Sequence, residues 1–207
     1  LQTKRALMEG RLSPSAELIG NMKASYARRL RYLDEKLEEL FVQLDQRNQL
    51  KNTLVIISSD HGEGFGEHGW YGHGDFLHQE AIHVPLIIRG PDIPQGIRVE
   101  EPVQNIDLFP TILHLLSLKA PAGIQGQSLV PLLFGWSEDP RVAVSEVDVP
   151  EGDRCLVSLS TKLFWYRGRQ PEFRLVDLDT DPMENQNRAD QEAELVLDLR
   201  NRLLDLI

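Results

Sequence analysis

A single cysteine, Cys155, stands in the 207 residues of this chain. One thiol excludes an intramolecular disulfide framework and leaves the redox compartment open. Positive charge is also scarce: 22 Lys and Arg face 32 Asp and Glu, a formal net charge of -10. That balance excludes nonspecific binding to nucleic acid or to an anionic membrane, which takes a basic surface, and it leaves acids that can serve a cation. No apolar run reaches membrane-spanning length, no secretory signal pattern is present, and there is no internal repeat or low-complexity segment. The chain begins with Leu1 rather than Met and enters helix-like sequence at once. The expectation is the later part of a longer protein whose targeting segment lies elsewhere. The length suits one core, or one domain with a small appendage.

What is abundant is concentrated in residues 52–91. The apolar run Thr53 to Ile57 predicts a strand buried on both faces, of the kind parallel sheets use. It ends in Ser58-Ser59-Asp60-His61-Gly62, so a carboxylate and an imidazole leave the sheet at the strand's carboxyl end, where open α/β sheets bind ligands. Before the next apolar run, Val84 to Ile88, come six glycines; residues 52–91 also hold five of the six histidines.

Asp60 and His61 are neighbours, and past a strand's end the freedom of Gly62 lets both turn toward one point. Oxygen and nitrogen donors suit a divalent cation such as Mn2+, or Ca2+ where carboxylates complete the set. Alone, the dipeptide reads equally as a surface turn in which Asp caps a helix. The glycine-rich, histidine-dense segment that follows favours chemistry, because backbone that must approach an anion and a metal closely needs glycine. His73, between Gly72 and Gly74, is placed to point into a cavity; His68 reads either as a substrate contact or as an ordinary loop residue. His78 and His83 are expected to make structural hydrogen bonds, and His114, on an apolar helix, to be a satisfied core residue. Glu63 and Glu67 are candidates to orient an imidazole, or plain exposed acids. Trp70 and Tyr71 either stack on a leaving group or pack under the loop.

Elsewhere the sequence predicts a long helix opened by Ser13-Pro14, bent at Gly20 and striped by Tyr26, Leu30, Leu33, Leu37, Leu40 and Leu44, lying on a sheet. Asp107 is placed to cap a helix from Leu108 to about Leu118. Beyond Pro140, the runs Arg141 to Glu146, Arg154 to Ser160, Leu163 to Arg167 and Phe173 to Leu178 predict antiparallel strands with one wet face, followed by a helix from about Ala189 to Leu206.

The central stretch resembles the C-terminal half of a sulfatase of the alkaline phosphatase superfamily. The resemblance rests on Ser-Ser-Asp60-His61-Gly-Glu-Gly-Phe-Gly-Glu-His68-Gly, Gly72-His73-Gly74, Leu77 to Glu80 and His83-Val-Pro85-Leu-Ile-Ile88. It continues through Asn52-Thr53, Asp107-Leu-Phe-Pro110-Thr111, Gly126-Gln-Ser128-Leu129 and Leu175 to Asn185, covering roughly residues 20–205 in family order. It implies an alkaline-phosphatase-like α/β sheet flanked by helices over residues 1–139, present in part, and a small antiparallel α+β subdomain over 140–207. It implies that Asp60 and His61 ligate one divalent cation, calcium first, with manganese or magnesium as alternatives. His73 falls where the family places a lysine or histidine on the substrate's anionic group, and His68 is a further substrate-contact candidate. Where many relatives carry Tyr-Glu this chain has His78-Gln79, so no role transfers there.

The implied reaction is hydrolysis of a sulfate ester, on a small molecule or a glycan, by a formylglycine made from a Cys or Ser of the N-terminal half. Cys155 lacks the Cys-x-Pro-x-Arg surroundings for that modification, so nucleophile and opposing ligands are expected upstream and this polypeptide alone is expected to be catalytically incomplete. A phosphodiester or phosphonate hydrolase of the same superfamily, and a non-catalytic binding module keeping the fold, remain as alternatives. The resemblance favours a periplasmic or other extracytoplasmic location; it leaves the oligomeric state open.

Overall fold

A computed structural model describes residues 14–136, 140–147, 152–168 and 172–207. The chain divides into two compact units, residues 1–74 with 83–93, and residues 75–82 with 94–207.

The first unit opens with helix α1, Ala16–Gln46. Its N-cap is Ser15, whose Oγ accepts the Leu18 N–H at 3.2 Å, so the start lies two residues beyond the expected Ser13; Ser13 itself is outside the described residues. The helix runs through Gly20. The expected burial of its stripe is not found: α1 buries none of its residues, and Tyr26, Leu30, Leu33 and Leu40 are exposed. Periodicity marks a face for burial without saying which segment covers it.

Strand β1, Val55–Ser58, pairs with β4, Leu86–Arg89, in the register Val55 to Arg89 through Ser58 to Leu86. The pairing is antiparallel, against the parallel expectation. The expected burial on both faces is not found either: Val55–Ser58 are only partly buried and Ile87 of β4 is exposed, since a short apolar run fixes neither strand direction nor the layer that covers it. Between these strands β2, Gly64–Phe65, and β3, Tyr71–Gly72, form a two-stranded antiparallel hairpin.

The second unit is built on one antiparallel sheet: β5 Ala143–Glu146, β6 Arg154–Ser158, β7 Thr161–Tyr166 and β8 Glu172–Asp177, each hydrogen-bonded to the next. Leu156, Leu163 and Leu175 lie side by side in register on one face. There they meet Val196, Leu199 and Leu203, spaced by three and four along the closing helix α5, Ala193–Asp205. These six side chains are buried, and each contributes roughly 1.5–3 kcal/mol of transfer free energy.

The opposite face is not wet as expected. Cys155, Phe164 and Val176 are buried there with Leu77, which belongs to the segment leading into the short helix α2, Gln79–Ile82. Burial pushes the Cys155 thiol up to about 11, so it is an inert packing residue.

Asp107 anchors the remainder of this unit. Its fully buried carboxylate accepts from Gln104 N–H at 3.1 Å, Gln127 N–H at 2.8 Å and Arg141 Nη2 at 2.6 Å, and it stands before helix α3, Leu108–Leu115. Thr111 Oγ1 donates to the Asp107 carbonyl at 2.6 Å and accepts the Leu129 N–H at 2.8 Å, fixing the entry to helix α4, Val130–Leu133. The Asp-Leu-Phe-Pro-Thr run is thus a packing hub in which the Asp107 carboxylate and the Thr111 hydroxyl are both bonded inside the protein. His114, expected in the core, is exposed on α3 with Nδ1 2.9 Å from Ser128 Oγ. The residues α3 does bury, Pro110 and Thr111, lie one turn earlier on the same side of the helix.

Candidate functional site

Asp60 follows the last residue of β1 by two positions, in non-repetitive backbone. Its Oδ1 accepts the His61 N–H at 3.0 Å, and Ser59 Oγ donates to the His61 carbonyl at 2.8 Å, so local bonds hold the turn. The His61 N–H and then the neighbouring imidazole hold the Asp60 carboxyl below its usual range. The carboxylate is ionised at neutral pH and its side chain is 85% exposed.

His61 Nδ1 lies 2.8 Å from the Gly62 carbonyl oxygen, which can only accept. Nδ1 therefore carries a hydrogen, and in the neutral ring Nε2 is the nitrogen that can ligate. That Nε2 is 3.6 Å from Asp60 Oδ2. Two donors of one divalent cation, each roughly 2.0–2.4 Å from it, span such a separation. An anionic oxygen, a neutral imidazole nitrogen and an outer carbonyl fixing the tautomer make a donor set that fits a metal.

The hairpin supplies the next side chain. The pairing of Gly64 with Gly72 and of Phe65 with Tyr71 carries Glu63 opposite His73. His73 Nδ1–H donates to Glu63 Oε2 at 2.7 Å, and the His73 ring stacks on His61 with centroids 3.8 Å apart and planes at 23°. Gly72 and Gly74, at φ +98° and +110°, give the sharp backbone on either side of His73 that a residue with a side chain rarely adopts.

Asp60, His61 and His73 are therefore brought together, twelve residues apart in sequence, with Glu63 behind His73. His68 belongs instead to the turn between β2 and β3, where it is half-buried. Glu67 orients no imidazole: it accepts from Lys23 Nζ at 2.8 Å and from the Phe65 N–H at 2.6 Å. Burial would raise its carboxyl, but these bonds outweigh it and hold it low. The hairpin is thereby fastened to α1, with Tyr26 edge-on to Phe65 at 5.5 Å.

A second polar cluster lies in the other unit, and its Lys162 carried no sequence signal. Lys162 is wholly buried and donates to Glu184 Oε1 at 2.6 Å and to the Leu77 carbonyl at 2.7 Å, with its ammonium 4.5 Å from the Phe164 ring. Glu184 Oε2 accepts from His78 Nδ1–H at 3.0 Å and from the Gln79 N–H at 2.9 Å. His78 is thus the structural hydrogen-bonding residue its position predicted. Burial alone would raise the Glu184 carboxyl; the His78, Lys162 and Gln79 interactions outweigh it and bring it down to about 2.

The family model described as sulfatase matches residues 2–118, and that of the N-sulphoglucosamine sulphohydrolase C-terminal region matches residues 66–207. Human arylsulfatase K is 30% identical over 202 residues, 91% of this chain and 37% of the human protein. A phosphonate monoester hydrolase from Silicibacter pomeroyi superposes with a TM-score of 0.83 at 27% identity, over 94% of this chain and 42% of that one. A protein solved in complex with its substrate D-glucosamine-2-N,6-O-disulfate gives 0.74, also at 27% identity, over 85% of this chain and 38% of its own. The chain spans about two fifths of the length of these relatives.

Proposed function

The chain belongs to the sulfatase family, and from that premise we propose that it is the C-terminal portion of a metal-dependent sulfuric ester hydrolase. Family membership implies a divalent metal. In this reading Asp60 and His61 hold it, calcium first, with manganese or magnesium as alternatives. The observation that carries the reading is the convergence of Asp60 Oδ2 and His61 Nε2 at 3.6 Å with His73 stacked on His61.

When bound, the cation supplies charge stabilisation for an anionic group undergoing substitution. The chain's own residues do the rest of what is proposed here. Asp60 contributes full negative charge at neutral pH, and the Gly62 carbonyl keeps His61 Nε2 free as a donor. His73, with Nδ1–H committed to Glu63, has Nε2 left as the ring nitrogen that can meet the substrate's anionic oxygens or its leaving oxygen. The nucleophile, a formylglycine in this reading, and the opposing metal ligands come from sequence outside residues 1–207.

A sulfated sugar is the substrate class we favour, because a similar structure holds a disulfated glucosamine as its substrate. His68, Trp70 and Tyr71, in and beside the turn of the hairpin, are the candidates for contacts to such a sugar. The resemblance to the family also favours a periplasmic or other extracytoplasmic location. Among the described residues no helix is long and apolar enough to cross a membrane.

A phosphonate or phosphodiester hydrolase is the second reading, supported by the 0.83 superposition on a phosphonate monoester hydrolase. The two separate in one assay. The full-length protein carrying this chain is given 4-nitrophenyl sulfate and a 4-nitrophenyl phosphonate monoester, and kcat/KM is compared. A preference for the sulfate supports the first reading; a preference for the phosphonate replaces it with the second. Turnover of neither, with no divalent cation retained, would leave a non-catalytic module.

A further inference from the structure

We propose that Glu63 is the positioning residue for His73, setting the tautomer and the ring orientation with which that histidine meets the substrate. The inference rests on the reading of His73 as the substrate contact. It is carried by the geometry of the hairpin, whose register places Glu63 across from His73 whatever the substrate is.

An imidazole on a loop has two freedoms to lose before it presents one nitrogen in one direction. The plane of His73 is fixed by its stacking on His61 at 3.8 Å. Stacking alone leaves the ring free to flip by half a turn, which exchanges Nδ1 with Cδ2 and Nε2 with Cε1. The 2.7 Å bond to Glu63 Oε2 opposes that flip, since the flipped ring offers the carboxylate a carbon. It also keeps the hydrogen on Nδ1, because a carboxylate so placed has only acceptor capacity.

Other sources of support are weak at this place. Gly72 and Gly74 flank His73 without side chains, and the other acid within the hairpin, Glu67, is engaged by Lys23 and the Phe65 N–H. Glu63 is itself mostly covered, its side chain 20% exposed against 35% for His73, so its bond is only partly in competition with water.

The test is a double-mutant cycle in the full-length protein, read with a spectroscopic signature. Glu63→Ala is expected to lower kcat by about 10- to 100-fold while KM and metal content stay close to wild type. Glu63→Gln, whose Oε1 still accepts from Nδ1–H, is expected to recover most of that loss. Combined with His73→Ala, the Glu63→Ala change is expected to cost nothing further, because the group it positions is gone. Long-range 1H–15N spectra of the imidazoles are expected to show His73 in the Nδ1–H form in the wild type and a mixture of tautomers in Glu63→Ala.

Losses that multiply in the double variant, a Glu63→Gln variant as impaired as Glu63→Ala, or an unchanged His73 tautomer would each overturn the proposal. A His73→Ala variant as active as wild type would instead overturn the reading of His73. In that case the tautomer spectra still decide whether Glu63 positions the ring.

Discussion

The Lys162 ammonium and the Glu184 carboxylate meet at 2.6 Å with neither side chain exposed. Twenty-two residues separate them in sequence, and Glu184 reaches the pair from a left-handed backbone conformation, φ +51°. Together with His78 and the Gln79 N–H they tie residues 77–79 to the underside of the antiparallel sheet. A charged pair placed there is costly to split, since removal of one partner leaves the other buried and unpaired.

Lys162→Met is therefore expected to destabilise the second unit by about 3–5 kcal/mol, although Met fills much of the same volume. Urea unfolding of the 207-residue chain, followed by circular dichroism, measures it. A change below about 1 kcal/mol would show that water or a rearranged partner reaches Glu184.

The same pair sets a pH dependence whose direction is fixed. The native Glu184 carboxyl lies at about 2, while in the unfolded chain it returns to the ordinary range near ~4.3. Between those values the unfolded state binds more protons. The stability it contributes is thus complete above the unfolded value and is lost as pH falls toward 2. Unfolding free energies between pH 6 and pH 3 should fall more steeply for the wild type than for Glu184→Gln. Parallel slopes would contradict the assignment.

Gly126 stands at φ +78°, and a Cβ built on it runs into the Ile106 carbonyl oxygen. Gly135 has a similar φ of +67° with open space around the added atom. Gly126→Ala should destabilise by more than Gly135→Ala, which carries only the conformational cost of about 1 kcal/mol. Equal midpoints in parallel thermal melts would mean that the Asp107 hub yields to the extra atom.

How much of this was legible in the sequence follows from how local each signal is. The four late strands were readable as short runs between charged turns, and their final helix as an amphipathic stretch, although alternation misread one face of the sheet as wet. The position of Asp60 and His61 just past the end of a strand was readable, because an apolar run stops beside them and Gly62 follows. What the sequence could not show depended on partners far along the chain. Lys162 looks like an ordinary strand residue until Leu77, 85 positions earlier, covers that face of the sheet. The direction of β4 relative to β1 was equally hidden, because an apolar run pairs as readily in either direction. The exposed stripe of α1 is the converse case, a strong pattern whose covering segment is not among the described residues.

Glu63 falls between these cases. Its type and its distance from His73 were visible, but the choice between Glu63 and Glu67 was made by the hairpin register and by Lys23. A one-residue slip of that register would turn Glu63 to the other face of the ribbon.

The central claim is that Asp60 and His61 hold a divalent cation needed for ester hydrolysis. It is tested most directly by Asp60→Ala in the full-length protein, with metal content measured by elemental analysis alongside turnover of 4-nitrophenyl sulfate. Asp60 is exposed, so the fold should survive its removal. The account predicts a variant that melts within a few degrees of wild type, retains markedly less metal and loses at least about 100-fold in kcat/KM. That is roughly the 2.7 kcal/mol or more expected when charge stabilisation at the reacting group is removed. A variant with wild-type metal content and wild-type turnover would contradict it.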